Sequence, residues 1–172
     1  MKAVTICAAL AVSAYMDSIF FARVNLFGIR PDMTLAVLVS ISVLSGSISG
    51  ALIGGITGLI MDILFGKLIG LNAIAYMIAG TLGGLFCGKF YADNVIIPTA
   101  AAMVCALIKE HIMALSVIVA GGRFSYINML VGYVLPCVAF TGGISVLVHL
   151  IIKPLIIRQS RRYGDRSIGG AK

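Results

Sequence analysis

Charged side chains are scarce in this sequence, and their scarcity decides the class of protein. Only 11% of the 172 residues are Asp, Glu, Lys or Arg, whereas 60% are hydrophobic. The mean hydropathy is +1.11. Because a soluble globular domain carries about 25% charged residues, the composition excludes that class. The chain is predicted to be an integral membrane protein.

Motifs for metal binding, redox chemistry and catalysis are also missing. The cysteines occur singly inside apolar runs, without the spacing of a metal or disulfide site, which is typical of buried small hydrophobic residues. They are Cys7, Cys87, Cys105 and Cys137. No phosphate-binding loop or nucleophile elbow is present. We therefore expect no enzymatic activity, no metal, no cofactor and no nucleic-acid partner.

Long continuous apolar runs indicate transmembrane helices rather than the alternating strands of a membrane barrel. Six spans are predicted, at residues 3–22, 32–45, 47–65, 69–88, 95–120 and 126–152. The first resembles a secretory signal, but because further spans follow it, we interpret it as a retained signal-anchor. The predicted fold is an all-α, six-helix membrane bundle over residues 1–153, followed by a basic tail over 154–172.

The distribution of Lys and Arg predicts that both termini lie in the cytoplasm, because cytoplasmic loops are enriched in these residues. This orientation places eight of them inside: Lys2, Lys89, Lys153, Arg158, Arg161, Arg162, Arg166 and Lys172. Only four fall outside: Arg23, Arg30, Lys67 and Arg123. The basic tail is interpreted as a membrane anchor through anionic lipids, with docking of a cytoplasmic partner as the alternative.

Two spans carry rows of glycine. The third has Gly46, Gly50, Gly54 and Gly58 at four-residue intervals, a row that Asp62 and Gly66 continue, and the fourth has Gly80, Gly84 and Gly88. Small residues at this spacing allow two helix backbones to approach closely in a membrane. The rows are therefore predicted to be packing surfaces. The helix that packs there is either the neighbouring span or another protein.

A few polar residues interrupt the apolar spans and are predicted to form one cluster in the outer half of the membrane. They are Asp17, Asp62, Asn72, Lys109, Glu110 and His111. Counted from the cytoplasmic ends of their spans, Asp17, Asp62 and Lys109 lie at a similar depth of roughly 21 Å. An ionised side chain at mid-bilayer costs about 2.5 kcal/mol or more on insertion scales. Asn128 at the start of the sixth span belongs to the same layer, so all spans except the second are predicted to contribute to it.

Several roles remain open for this cluster: interhelical ties, a binding pocket, a surface for a partner, and a proton relay. Lys109 is expected to neutralise Asp17, Asp62 or Glu110. Asp62 lies near the C-terminal end of its helix, where a carboxylate is disfavoured. It therefore needs a compensating group: Lys67, Lys109, or the free N–H groups that begin the fourth span.

The sequence resembles the rod shape-determining protein MreD family between about Arg30 and Pro154. The resemblance rests on the order and spacing of several short features. These are Arg30-Pro31-Asp32, the glycine-rich span ending in Gly58-Leu59-Ile60-Met61-Asp62, Leu-Ile-Gly-Leu at 68–71, Glu110, and Leu135-Pro136. Asp62 and Glu110 are the polar positions that this pattern carries.

The resemblance implies a non-enzymatic, multi-pass scaffold in the bacterial plasma membrane that serves cell elongation, rod shape and peptidoglycan synthesis. It implies a single-span partner such as MreC, and further association with MreB-like filaments and peptidoglycan synthases. The family's fold is similar to the substrate-binding S-components of energy-coupling-factor (ECF) transporters. A subunit of a vitamin or other small-molecule transporter is therefore the alternative function. A membrane enzyme whose turnover depends on Glu110 or His111 is the third hypothesis.

Overall fold

The described residues form six helices, as the sequence predicted. In the computed structural model these residues are 2–20, 31–65, 70–87, 95–119, 121 and 126–151. The helices are α1 (Lys2–Tyr15, continued by a π-helical turn at Met16–Phe20), α2 (Met33–Ser45), α3 (Ser47–Phe65), α4 (Leu71–Gly84), α5 (Ile96–Val119) and α6 (Ile127–Ile151). The all-α membrane fold is thereby confirmed. Gly66, Lys67, Gly88 and the basic tail lie outside the described residues.

Helix length divides the bundle into two groups. By length and composition, α3, α5 and α6 can cross a membrane, whereas the apolar parts of α1, α2 and α4 are shorter. A helix needs about 20 residues to cross the hydrocarbon core. With 13 residues, α2 is only about 20 Å long. At least one end of α2 must therefore lie inside the apolar layer, where its backbone groups need partners within the protein.

α2 is the central helix of the bundle. All residues from Thr34 to Ser42 are buried, and α2 contacts α1, α3, α4 and α5. A helix that is apolar around its whole circumference is typically enclosed by other helices. The core around it contains Leu35, Leu38 and Ile41 together with Tyr76.

The boundary between α2 and α3 is a single glycine. Gly46 has a φ of 94°, a left-handed conformation that side-chain-bearing residues rarely adopt. Its N–H group donates to the carbonyl oxygen of Ser42 at 2.8 Å. A Cβ built on Gly46 would meet no atom within 4 Å. Gly46 is therefore required for the turn, and its backbone also lies against α4, since a Cβ on Gly84 would come within 2.5 Å of the Gly46 carbonyl carbon.

The other described glycines of the two rows lie at the contact between α3 and α4, which form the most extensive helix pair among the described elements. A Cβ on Gly50 would collide with the backbone of Gly80, and one on Gly54 with the backbone of Tyr76. One on Gly58 would collide with Asn72, and one on Gly84 with Ser47. The helices are thus antiparallel and in one continuous register. We call this contact the glycine seam.

A comparison of two adjacent glycines tests the seam. Gly54→Val should lower the free energy of unfolding by about 1–3 kcal/mol, because the added atoms force the backbones apart. Gly55→Val is the matched control, because a Cβ there meets only the Met77 sulfur at 4.0 Å. Unfolding of both variants would be measured in the same detergent. Equal destabilisation by the two substitutions would contradict the seam.

Candidate functional site

Asp32 connects three helices at the buried N-terminus of α2. It is the N-cap residue of α2, and its carboxylate accepts the Leu35 N–H at 2.7 Å. The Tyr76 hydroxyl of α4 donates to both carboxylate oxygens, at 2.9 and 3.1 Å. The Lys109 ammonium of α5 forms an ion pair with the same carboxylate. Each of these partners is a donor, so the buried carboxylate is surrounded by groups that stabilise its charge.

A second carboxylate supports the same helix end from α1. Asp17 lies in the π-helical turn that ends α1. Its two oxygens accept the N–H groups of Met33 and Thr34 at 2.8 and 2.7 Å. The first N–H groups of a helix have no partner within the helix and attract negative charge. α6 also contacts the N-terminus of α2, because the Asp32 N–H donates to the Thr141 hydroxyl at 3.2 Å.

The predicted partner of Lys109 was wrong. Lys109 was expected to neutralise Asp17, Asp62 or Glu110, but its ion pair is with Asp32, and its ammonium lies 5.5 Å from the centre of the Tyr76 ring. The expectation that the second span does not contribute to the polar layer was wrong for the same reason. The cap of α2 lies among polar residues of the other helices.

Asp62 has a separate role in the α3–α4 hairpin. Its carboxylate accepts the N–H groups of Gly70, Asn72 and Ala73 at 2.8, 3.2 and 3.1 Å. The Asn72 side-chain amide donates to it as well, at 2.8 Å. Of the three compensating groups considered, the structure shows the N–H groups that begin the fourth span. Asp62 therefore caps α4 from the end of α3, where the glycine seam also ends.

Glu110 and His111 diverge, although they are adjacent in sequence. Glu110 lines an open cavity with Lys109 and Asn72. His111 is exposed, and its Nδ1 lies 2.7 Å from the Leu107 carbonyl oxygen on the same helix. The predicted polar residues thus lie in four places. Asp17 and Lys109 meet the N-terminus of α2 at Asp32, Asp62 and Asn72 form the cap of α4, Glu110 lines the cavity, and His111 lies outside all three.

The sequence interpretation missed three members of this site: Asp32, Tyr76 and Thr141. One signal was available for Asp32, since an aspartate directly before an apolar helical run is a typical N-cap. Tyr76 and Thr141 carry no local signal. Their hydroxyl groups matter because of long-range contacts to Asp32. Among the described residues, no group of three His, Cys, Asp or Glu side chains is arranged to hold a metal ion.

These features define an all-α membrane protein in which buried carboxylates connect the helices of one bundle. The chain matches the family model described as rod shape-determining protein MreD over residues 1–159, and it therefore belongs to that family. The match extends beyond the part of the chain on which the sequence resemblance rested. Membership implies a role in rod shape determination. No curated protein and no solved structure matches the chain.

Graded substitution of Asp62 tests the cap. Asp62→Asn retains one acceptor oxygen, so we expect a loss of about 0.5–2 kcal/mol in the free energy of unfolding, the usual range for a weakened cap. Asp62→Leu removes every acceptor and leaves buried N–H groups without partners, so it should cost clearly more. Unfolding in detergent micelles measures both. Equal and complete loss of folding in the two variants would show that the charge itself is required.

Proposed function

We propose that the chain is a non-enzymatic scaffold of the bacterial cell-elongation machinery. It holds a single-span partner such as an MreC-like protein, and through it MreB-like filaments and peptidoglycan synthases. The family match is the observation that supports this proposal most strongly. The geometry is consistent with it, because the carboxylates of Asp17, Asp32 and Asp62 are occupied by hydrogen bonds between helices. Groups occupied in this way connect helices rather than carry out a reaction.

In this proposal the protein is a multi-pass protein of the inner membrane, with both termini in the cytoplasm. The excess of Lys and Arg on the predicted cytoplasmic side supports that orientation. Asp17, Asp62, Asn72, Lys109, Glu110 and His111 then lie toward the outer side. We propose that four of these residues hold the bundle in the conformation that the partner recognises: Asp17, Asp62, Asn72 and Lys109.

A partner helix needs a surface other than the glycine seam, because α4 already fills the seam along α3. The opposite side of α3 is available, since Leu52, Ile56 and Ile63 are exposed. Beside it, a groove of about 200 Å³ separates α3 from α1 and is lined by residues such as Ile6, Leu10 and Ile53. We propose that the single-span partner packs along this outward side of α3.

In vivo photocrosslinking tests this proposal. A photoreactive amino acid at Ile56 should crosslink to the single-span partner, whereas one at Leu115 of α5, which is equally exposed, should not. Both variants would be expressed in cells depleted of the native protein. Each should restore rod shape, which shows that the crosslinked protein is functional.

Two outcomes separate the proposal from its rivals. Efficient crosslinking at both positions, or at neither, would contradict a partner on this side of α3. If depletion reduces the uptake of a small molecule and leaves cell shape unchanged, the chain is a transporter subunit instead.

A further inference from the structure

An open cavity lies beside the Asp32–Lys109 ion pair, between α4, α5 and α6. Its volume is about 420 Å³, which is within the range of small-molecule sites. One side is polar and the other apolar. The lining residues are Asn72, Lys109, Glu110, Met113, Ala114, Val117, Met129 and Tyr133.

Among the described residues around this cavity, carboxylates outnumber ammonium groups. Lys109 is engaged by Asp32, and the Asp17 carboxylate lies at the same helix end, on the Met33 and Thr34 N–H groups. Glu110 lines the cavity, and its carboxylate makes no hydrogen bond or ion pair with any residue that the structure describes. Among the residues that the structure describes, three carboxylates therefore accompany one ammonium group here, and a fourth, Asp62, is hydrogen-bonded to Asn72 in the cavity wall. An anion would be repelled, whereas a cation would restore the balance.

The remaining polar groups of the cavity suit a nitrogen cation. The Asn72 amide nitrogen already donates to Asp62, which leaves the amide oxygen as its acceptor. The Tyr133 hydroxyl can also accept a hydrogen bond. A protonated amine or guanidinium group carries several N–H donors, so it can satisfy a carboxylate and one or two neutral oxygens at once.

The apolar side of the cavity indicates what the cation is attached to. Met113, Ala114 and Val117 follow Glu110 on α5, and Met129 faces them from α6. From Glu110 to Val117 the helix rises by roughly 10 Å, the length of a short hydrocarbon chain or a ring. Methionine side chains adapt to irregular apolar shapes. A small cation with an apolar body therefore fits both sides of the cavity.

The backbone of α6 is irregular at this place. Leu130–Val134 is π-helical, and Tyr133 lies within that turn. π-helical turns are rare, and they are frequently found at functional sites, where the additional residue changes the direction of the side chains. The irregularity in α6 therefore coincides with the wall of the cavity.

We propose that this cavity binds a small amphipathic cation, an amine or guanidinium group on a short apolar body, with Glu110 as its counter-ion. Asn72 and Tyr133 accept hydrogen bonds from the cation, and the methionine-lined wall contacts its apolar part. The site is independent of the proposed partner surface on α3, and each can exist without the other.

Three probes of similar size and different charge test the site. Hexylammonium, hexanoate and 1-hexanol would be titrated into the purified full chain in a non-ionic detergent, and binding would be measured by calorimetry and by the midpoint of thermal unfolding. Hexylammonium should bind saturably and raise the midpoint. Hexanoate and hexanol should not, because they lack the cation. Equal effects of all three probes would overturn the proposal.

Variants at Glu110 distinguish binding of the probes in the cavity from their uptake by detergent micelles. Glu110→Gln should weaken hexylammonium binding by about tenfold or more, the loss expected from one charge-assisted hydrogen bond. Glu110→Asp should retain part of the affinity. His111→Gln, on the next residue but outside the cavity, should bind as the unmodified chain does. Unchanged affinity in a folded Glu110→Gln protein would show that the cavity holds solvent and no cation.

Discussion

The buried carboxylate of Asp32 is the group on which the arrangement of the bundle depends. α2 is too short to cross the membrane core, and its N-terminus lies among apolar helices, where unpaired N–H groups are costly. Asp32 and Asp17 supply the acceptors. A buried carboxylate in turn needs a counter-charge, which Lys109 provides from α5. The length of one helix thus explains why α1, α2, α4 and α5 meet at a single place.

The α3–α4 hairpin combines close packing of its two helices with a carboxylate cap at the start of α4. Its helices approach closely because glycines on each side leave room for the opposite backbone. Close contact of this kind stabilises helix pairs in lipid, where apolar side chains gain nothing by leaving the solvent. At the end of the seam, Asp62 supplies the acceptors for the first N–H groups of α4. The starts of α2 and α4 are therefore each capped by a carboxylate from the preceding helix.

The sequence was sufficient for the number of helices, their approximate ends, the boundary at Gly46 and the packing of the glycine rows. These features depend on local composition and on regular spacing. It was not sufficient for the partner of Lys109, because an ion pair depends on which helices are neighbours in space. Asp32 falls at the start of the second predicted span, but nothing local shows that its carboxylate meets groups of α4 and α5 there. Tyr76 and Thr141 were missed because only their long-range contacts distinguish them from ordinary residues of apolar helices.

A double-mutant cycle between Asp32 and Lys109 tests this account most directly. Asp32→Asn, Lys109→Met and the double variant would be unfolded reversibly in mixed micelles, and their free energies of unfolding compared. Each single substitution should cost roughly 3–5 kcal/mol, because it leaves a buried charge unpaired. The double variant should cost less than the two together, with a coupling energy of about 2 kcal/mol or more. Additivity within about 0.5 kcal/mol would contradict the central position of this ion pair.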